Sequence, residues 1–221
     1  MKKIIITGFA FAAILSSCGE AENKIESHEA KEVTHEEVKS TSVDYAVVKE
    51  GSVVNWMGSH LGGVGAHNGT VTITEGNVLV TDGKLVNADF VIDMTTIHTT
   101  DFEKETEDYG KLVGHLSNAD FFNTTEFASA KFALTGVESI EGDFNSKVTG
   151  NLSILGVERS ITFDANITVG EADVVIASQT FTIDRTQWGN EYNKEGSEGL
   201  PTDYIISNNI TVSIAATVAV K

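Results

Sequence analysis

Arg185 is the residue whose position asks most pointedly for a partner. Counting by twos from Val175 through Ala177, Gln179, Phe181 and Ile183 places it on the inward face of a strand. A guanidinium there needs a carboxylate, a ring of carbonyls or an anionic ligand head, because an unpaired buried charge is too costly. Two readings stay open: an ion pair with a neighbour of Asp184 or an acid such as Asp93 or Asp101, and an anchor for a pyrophosphate or carboxylate. Six histidines raise the question of a metal. His28 and His35 fall in an acidic N-terminal stretch. His60, His67, His98 and His115 are scattered without the His-x-His or His-x3-His spacing that sets two ligands on one face. No metal and no cofactor are expected, and His60 and His115 read as hydrogen-bonding groups at the edge of a site. Catalysis needs two titratable groups converging on a reacting atom, for which His115 with Asp120 is the candidate pair. The chain contains no Gly-x-Ser-x-Gly, phosphate-cradling loop or paired catalytic carboxylates, so no enzyme is expected, with a hydrolase kept as an alternative.

The single cysteine, Cys18, follows Leu15-Ser16-Ser17 at the end of an apolar run, Ile4 to Leu15, preceded by Lys2 and Lys3. A basic start, an apolar middle shorter than the ~20 residues of a spanning helix and a small-residue end mark a cleaved export signal. Leu-Ser-Ser-Cys looks like a bacterial lipobox. The expectation is a signal peptide at residues 1–17 and an acylated Cys18 that anchors an exported protein in the cell envelope, at the outer membrane on its periplasmic or surface face. Several acyl chains there would hold where one would not. An ordinary secretory signal with an incidental cysteine is the alternative. An acylated Cys18 leaves no thiol for a disulfide, a zinc–thiolate site or a nucleophile.

The formal charge is −17, and removal of Lys2 and Lys3 with the signal takes it to −19. Such a surface repels phosphate, which argues against nucleic acid and leaves membrane attachment to the anchor. Gly19 to Ser42 carries seven glutamates and three lysines with no aromatic residue. Residues 18–42 are therefore expected to be a lipidated Cys and a disordered acidic tether, since such a composition buries too little to offset ordering. Its flexible reach is on the order of 27 Å. A short charged helix from Glu29 to Lys39 is the alternative.

Residues 43–221 read as one all-β domain. Val86, Ala88, Phe90, Ile92 and Met94 alternate with Asn87, Asp89 and Asp93, and period two recurs over Lys147 to Ile154, Ser160 to Val169, Val174 to Arg185 and Asn209 to Val220. Shorter strands are predicted over Ser52 to Met57, Gly69 to Thr74, Asn77 to Thr81 and Lys131 to Thr135. Glu75-Gly76-Asn77, Thr81-Asp82-Gly83 and Glu141-Gly142-Asp143 punctuate them. Strands apolar on one face must pair with a second sheet or close on themselves, and closure removes the edges. Asp101 to Asn123 interrupts the pattern; Leu112 and Leu116 at i, i+4 and Phe121-Phe122 beyond them predict a short helix and apolar loop, a lid over a barrel end.

Several runs carry a family resemblance: Trp56-Met57-Gly58 with His67-Asn68-Gly69-Thr70; Val91-Ile92-Asp93-Met94; Leu112-Val113-Gly114-His115-Leu116 through Asp120-Phe121-Phe122; Thr149-Gly150-Asn151-Leu152 to Leu155-Gly156-Val157; and Ile183-Asp184-Arg185 with Trp188-Gly189. In this order they resemble the YceI-like family over the whole of Val43 to Lys221. The resemblance implies an extended, antiparallel, eight-stranded lipocalin-like β-barrel that holds a long apolar lipid, such as a polyisoprenoid, quinone-like or fatty-chain molecule. The chain departs from the family at Asn193 to Asp203, a polar, acidic loop with Pro201 where a glycine- and phenylalanine-rich one is common.

From the residues themselves, a packed core and a tunnel both remain open, since the inward faces mix bulky and small positions. The residues expected along the interior and its mouth are Trp56 and His60; Phe90, Ile92 and Met94; Leu112, His115, Leu116, Phe121 and Phe122; Phe132, Leu152 and Phe163; and Phe181, Arg185, Trp188 and Tyr192. Trp56 and Trp188 fit as core plugs or as tunnel walls. The expected partners are a long-chain apolar lipid and, through the anchor, a membrane, in a monomer or homodimer. The competing class is an anchored interaction or stress-response protein whose barrel is solid.

Overall fold

The structure, a computed structural model, describes residues 23–34 and 41–221. The expected signal peptide, Cys18 and His35 lie outside the described residues. In chain order the elements are β1 (His28–Glu29), β2 (Ser42–Gly58), β3 (His67–Thr81), β4 (Lys84–Thr99), α1 (Glu107–Ser117), β5 (Ser129–Ser139), β6 (Ser146–Ile154), β7 (Val157–Val169), β8 (Asp173–Ser178), β9 (Phe181–Asp184) and β10 (Asn209–Val220). All pairings between these strands are antiparallel, and they run β7-β6-β5-β4-β3-β2-β10-β8, with β8 returning to β7. The expected eight-stranded barrel is thus the fold observed, with one α-helix among the described residues.

Local chemistry explains the connections. At Asp82-Gly83 and Leu155-Gly156 both turn residues have positive φ, at 52° and 73° and at 52° and 75°. That backbone matches the twist of the strands that two-residue hairpins join. Strand β2 is longer than the predicted Ser52 to Met57 because it passes through a bulge at Gly51. There the fully buried Ser52 hydroxyl donates to the Val48 carbonyl and accepts from the Thr217 N–H at 3.1 Å, replacing lost ladder bonds.

Three expectations need correction. Glu75-Gly76-Asn77 is not a turn: β3 runs through it with a register shift, and Gly76 is required because any Cβ would meet the Asp89 carbonyl and the Phe90 ring. Val174 to Arg185 is not one strand. It breaks at Gln179-Thr180, so β8 buries Val174 and Ile176 and exposes Val175 and Ala177, whereas β9 buries Phe181 and Ile183. Counting by twos from Val175 therefore fails in its first half, because Phe181 follows the inward Ile176 by five positions, an odd step.

The third correction concerns residues 23–31 of the expected tether, of which residues 18–22 and 35–40 lie outside the described residues. Beyond the break, β9 pairs with β10 but drifts from the first half of β7, and residues 23–31 fill that seam. The Ile25 N–H donates to the Thr182 carbonyl at 2.9 Å and the Thr182 N–H donates to the Asn23 carbonyl at 3.1 Å. His28 and Glu29 pair with Ser160 and Arg159 of β7. The Lys31 N–H donates to Asn151 Oδ1 at 3.0 Å, and Asn151 Nδ2 returns a bond to the Lys31 carbonyl at 2.7 Å. Under this strap the polar residues Ser160, Thr182 and Asn151 are 1%, 1% and 2% exposed. Backbone pairing, which needs no apolar composition, orders what the acidic composition alone would leave loose.

The barrel interior divides along its length. Toward the end that holds the Asp82-Gly83 turn, Tyr45, Val78, Val174 and Val218 pack solidly. Toward the other end, where α1 and the segments 59–66 and 186–208 gather, the interior is open. The two readings of the interior, packed core and tunnel, each hold for one half.

Candidate ligand-binding site

The open half holds a cavity of about 400 Å³. Its walls come from inward positions of the strands: Val54 and Trp56 of β2, Ile92, Met94 and Ile97 of β4, Phe132 of β5, Leu152 and Ile154 of β6, Ile161 of β7, Phe181 and Ile183 of β9, and Ile210, Val212 and Ile214 of β10. Helix α1 and the loop after it supply the cover, through Leu112, His115, Leu116, Phe121 and Phe122. A volume of this size with almost wholly apolar walls fits a single slender apolar molecule.

The lid is fixed by its own sequence. Thr106 caps α1, its hydroxyl accepting from the Tyr109 N–H at 3.3 Å, and Glu107 and Asp108 occupy the first turn where the helix dipole favours acids. Tyr109 in turn meets His98 of β4, hydroxyl to Nδ1, at 3.0 Å. Beyond the helix, Phe121 and Phe122 pack edge to face with centroids 5.1 Å apart, and the His115 ring lies 5.9 Å from Phe121 and 5.2 Å from Tyr192. His115 is thus in contact with aromatic rings while Asp120 is exposed, and among the described residues no hydrogen bond or ion pair joins the two.

Arg185 is 2% exposed and gives all five of its N–H groups to oxygens of the chain. Nε donates to the Ser207 carbonyl at 3.0 Å. Nη1 donates to the carbonyl and Oδ1 of Asn190 at 2.9 and 2.7 Å, and Nη2 to the carbonyls of Tyr192 and Ile206 at 2.9 and 3.1 Å. Its guanidinium carbon also lies 5.3 Å from the centre of the Phe121 ring. Burial pushes its pKa down, against the opposing charges of Asp184 and Glu195. The ring of carbonyls is what the fold builds. The expected ion pair with Asp93 or Asp101 does not form, because Asp93 accepts from Thr95 and Asp101 is held by other groups.

Asp101 accepts from the Asn68 N–H at 3.0 Å and from Asn68 Nδ2 at 2.6 Å, and faces His67 Nδ1 at 3.0 Å. Burial pushes its carboxyl up, but the hydrogen bonds from the Asn68 backbone and His67, with the charge of His67, hold it below the ordinary carboxylate value. His67 lines the cavity, so this cluster stands at the mouth.

Of the residues singled out from the sequence, Phe90 and Phe163 do not reach this cavity; they line a separate chamber of about 50 Å³ deeper in the barrel. The rest of the expected set lines the main cavity. Sequence reasoning missed the β10 face, Ile210, Val212 and Ile214, although its alternation over Asn209 to Val220 was a usable signal. It also missed the mouth residues His67 and Tyr204, which periodicity does not mark because they stand at a strand end and in a loop. Trp188 is both wall and plug: it is 1% exposed, and its indole N–H donates to the Leu152 carbonyl at 2.9 Å.

Comparisons with known proteins agree with this architecture. A polyisoprenoid-binding domain from Saccharophagus degradans, implicated in plant cell wall breakdown, superposes with a TM-score of 0.56 at 16% identity, covering 81% of this chain and 99% of that one. BcnA of Burkholderia cenocepacia gives a TM-score of 0.54 at 17% identity, covering 77% and 98%. At these identities the likeness is one of fold. Protein YceI of Shigella flexneri is 36% identical over 78 residues, which is 35% of this chain and 38% of the relative. The match to a Pseudomonas putida UPF0312 protein is 41% identical over 51 residues, 26% of that relative. The chain therefore spans well under half the length of either relative. Residues 45–218, most of the barrel from β2 to β10, match the YceI-like domain, and on that match the chain belongs to the YceI-like family.

Proposed function

We propose that this protein encloses the chain of a long apolar lipid, a polyisoprenoid, quinone-like or acyl molecule, within the open half of its barrel. The observation that carries the reading is the cavity of about 400 Å³, walled by aliphatic and aromatic side chains from seven of the barrel strands and covered by the α1 lid. Burial drives the binding: at roughly 25 cal/mol per Å² of apolar area removed from water, an enclosed chain gains enough to compete with a membrane. The polyisoprenoid-binding description of the Saccharophagus domain supports the same ligand class. The role is to sequester or carry the lipid, with no chemical step.

The Leu15-Ser16-Ser17-Cys18 motif supports an exported chain anchored through acyl groups on Cys18, which keeps the barrel beside the membrane its ligand comes from. The test of the cavity is a pair of substitutions on its walls. Ile161→Asp and Met94→Asp abolish uptake of a prenyl alcohol while the outward Asp89→Asn leaves it unchanged; equal uptake by all three rejects the site. For the anchor, Cys18→Ser shifts the chain from the membrane fraction to the soluble one, and an unchanged distribution rejects it.

A further inference from the structure

The main cavity and the smaller chamber beneath it share only four lining residues, Val54, Ile92, Phe132 and Ile214. Phe132 is the one aromatic among them. Its ring centre lies 5.9 Å from that of Phe163, which in turn stacks on Phe181 with centres 4.9 Å apart and planes 7° from parallel. Phe181 faces the main cavity and Phe163 the smaller chamber, so the three rings form a belt at the boundary between the two. Gly150 makes the arrangement possible. Its φ is unremarkable, but a Cβ there would collide with the Cζ end of the Phe132 ring, so the ring takes the space that a side chain on β6 would fill.

Below the belt the barrel continues apolar, through Ile73, Leu85 and Val148 around the smaller chamber. The depth of the main cavity is therefore limited by a ring and not by the end of the apolar interior. We infer that Phe132 is the floor of the site and sets the longest chain the barrel accepts. This deepens the chain-binding reading above and rests on it. A chain entering from the lid end meets the ring edge where the two volumes adjoin. Removing that ring joins the volumes into one longer bore.

The test uses the full chain and three prenyl alcohols of increasing length, geraniol, farnesol and geranylgeraniol, with the fluorescence of the cavity-lining Trp56 and Trp188 as the readout. In the parent, affinity stops rising at the alcohol whose tail reaches Phe132. In Phe132→Ala the next longer alcohol binds about tenfold tighter than it does to the parent, a larger gain than for the shortest. Phe132→Leu, which keeps an apolar side chain for folding, gives a smaller gain in the same direction. Leu85→Ala enlarges only the smaller chamber and keeps the parent's length profile. A parent-like profile in both Phe132 variants, or an equal gain in Leu85→Ala, overturns the floor while leaving the chain-binding reading intact. A folded parent that binds none of the alcohols overturns both.

Discussion

Arg185 and Asn190 form one unit: Nη1 of the arginine donates to both the backbone carbonyl and the Oδ1 of Asn190, and Asn190 Nδ2 then donates to the Phe121 carbonyl at 3.1 Å. This pair carries the turn after β9 across to the loop after α1, and so holds the lid at the cavity mouth. A residue that from the sequence fits a headgroup anchor has its hydrogen-bonding capacity directed into the fold.

Arg185→Leu accordingly acts on stability. It leaves the carbonyls of Asn190, Tyr192, Ile206 and Ser207 without their donor, at a cost of about 3 kcal/mol or more. For a chain of this size that lowers the melting temperature by roughly 6–12 °C. Lysine does not rescue it, since an ammonium cannot reproduce the five-donor fork. A variant that melts like the parent and loses only anionic-headed lipids would contradict this account.

The two tryptophans are predicted to separate. Trp188 donates its indole N–H to Leu152, whereas the Trp56 N–H is buried with no partner among the described residues. Trp56→Phe removes an unsatisfied donor and leaves the melting temperature unchanged or raised, while Trp188→Phe breaks a bond and costs about 1 kcal/mol. Equal losses from both would contradict the assignment.

The strap makes a prediction for hydrogen exchange. Asn151→Ala removes both bonds to Lys31, so the Ile25 and Thr182 amides, which pair across the strap, lose protection while those of the barrel's packed half keep theirs. Unaltered protection at both amides would show that residues 23–31 are held by other means.

Acid should loosen the mouth in a definite window. The folded-state pKa of Asp101 lies below its ordinary value, so the unfolded chain binds the proton more tightly. The stabilisation is complete above the unfolded pKa, about 3.9, and is lost as pH falls through the lower folded value. Melting curves of the parent and Asp101→Asn should differ near neutral pH and converge as the solution is taken below about pH 4. A gap that persists undiminished into strong acid would remove Asp101 as its source.

Much of this site was legible because a half-buried strand writes its inward face into every second residue. Ile92 with Met94, and Ile161 with Phe163, follow that rule. Leu112, Leu116 and Phe121-Phe122 announced the lid by interrupting it. The rule fails where the strand itself breaks. Gln179-Thr180 carries no glycine or proline to mark the switch, so Val175 and Ala177 were placed on the wrong face while Phe181, Ile183 and Arg185, beyond the break, were placed correctly. Phe90 and Phe163 point inward as their parity requires, but parity reports the face and not the depth, and both line the smaller chamber instead of the main cavity. The strap left no periodic trace, because main-chain bonds to Thr182 and side-chain bonds from Asn151 hold a stretch whose own side chains are mostly charged.

The measurement that tests the central claim most directly is to express the full chain in a bacterial host, purify it under native conditions, extract it with organic solvent and weigh the extract by mass spectrometry. The account predicts a long-chain apolar species in near-stoichiometric amount. A folded barrel that comes through empty, and that also refuses added prenyl alcohols and fatty acids, would contradict it.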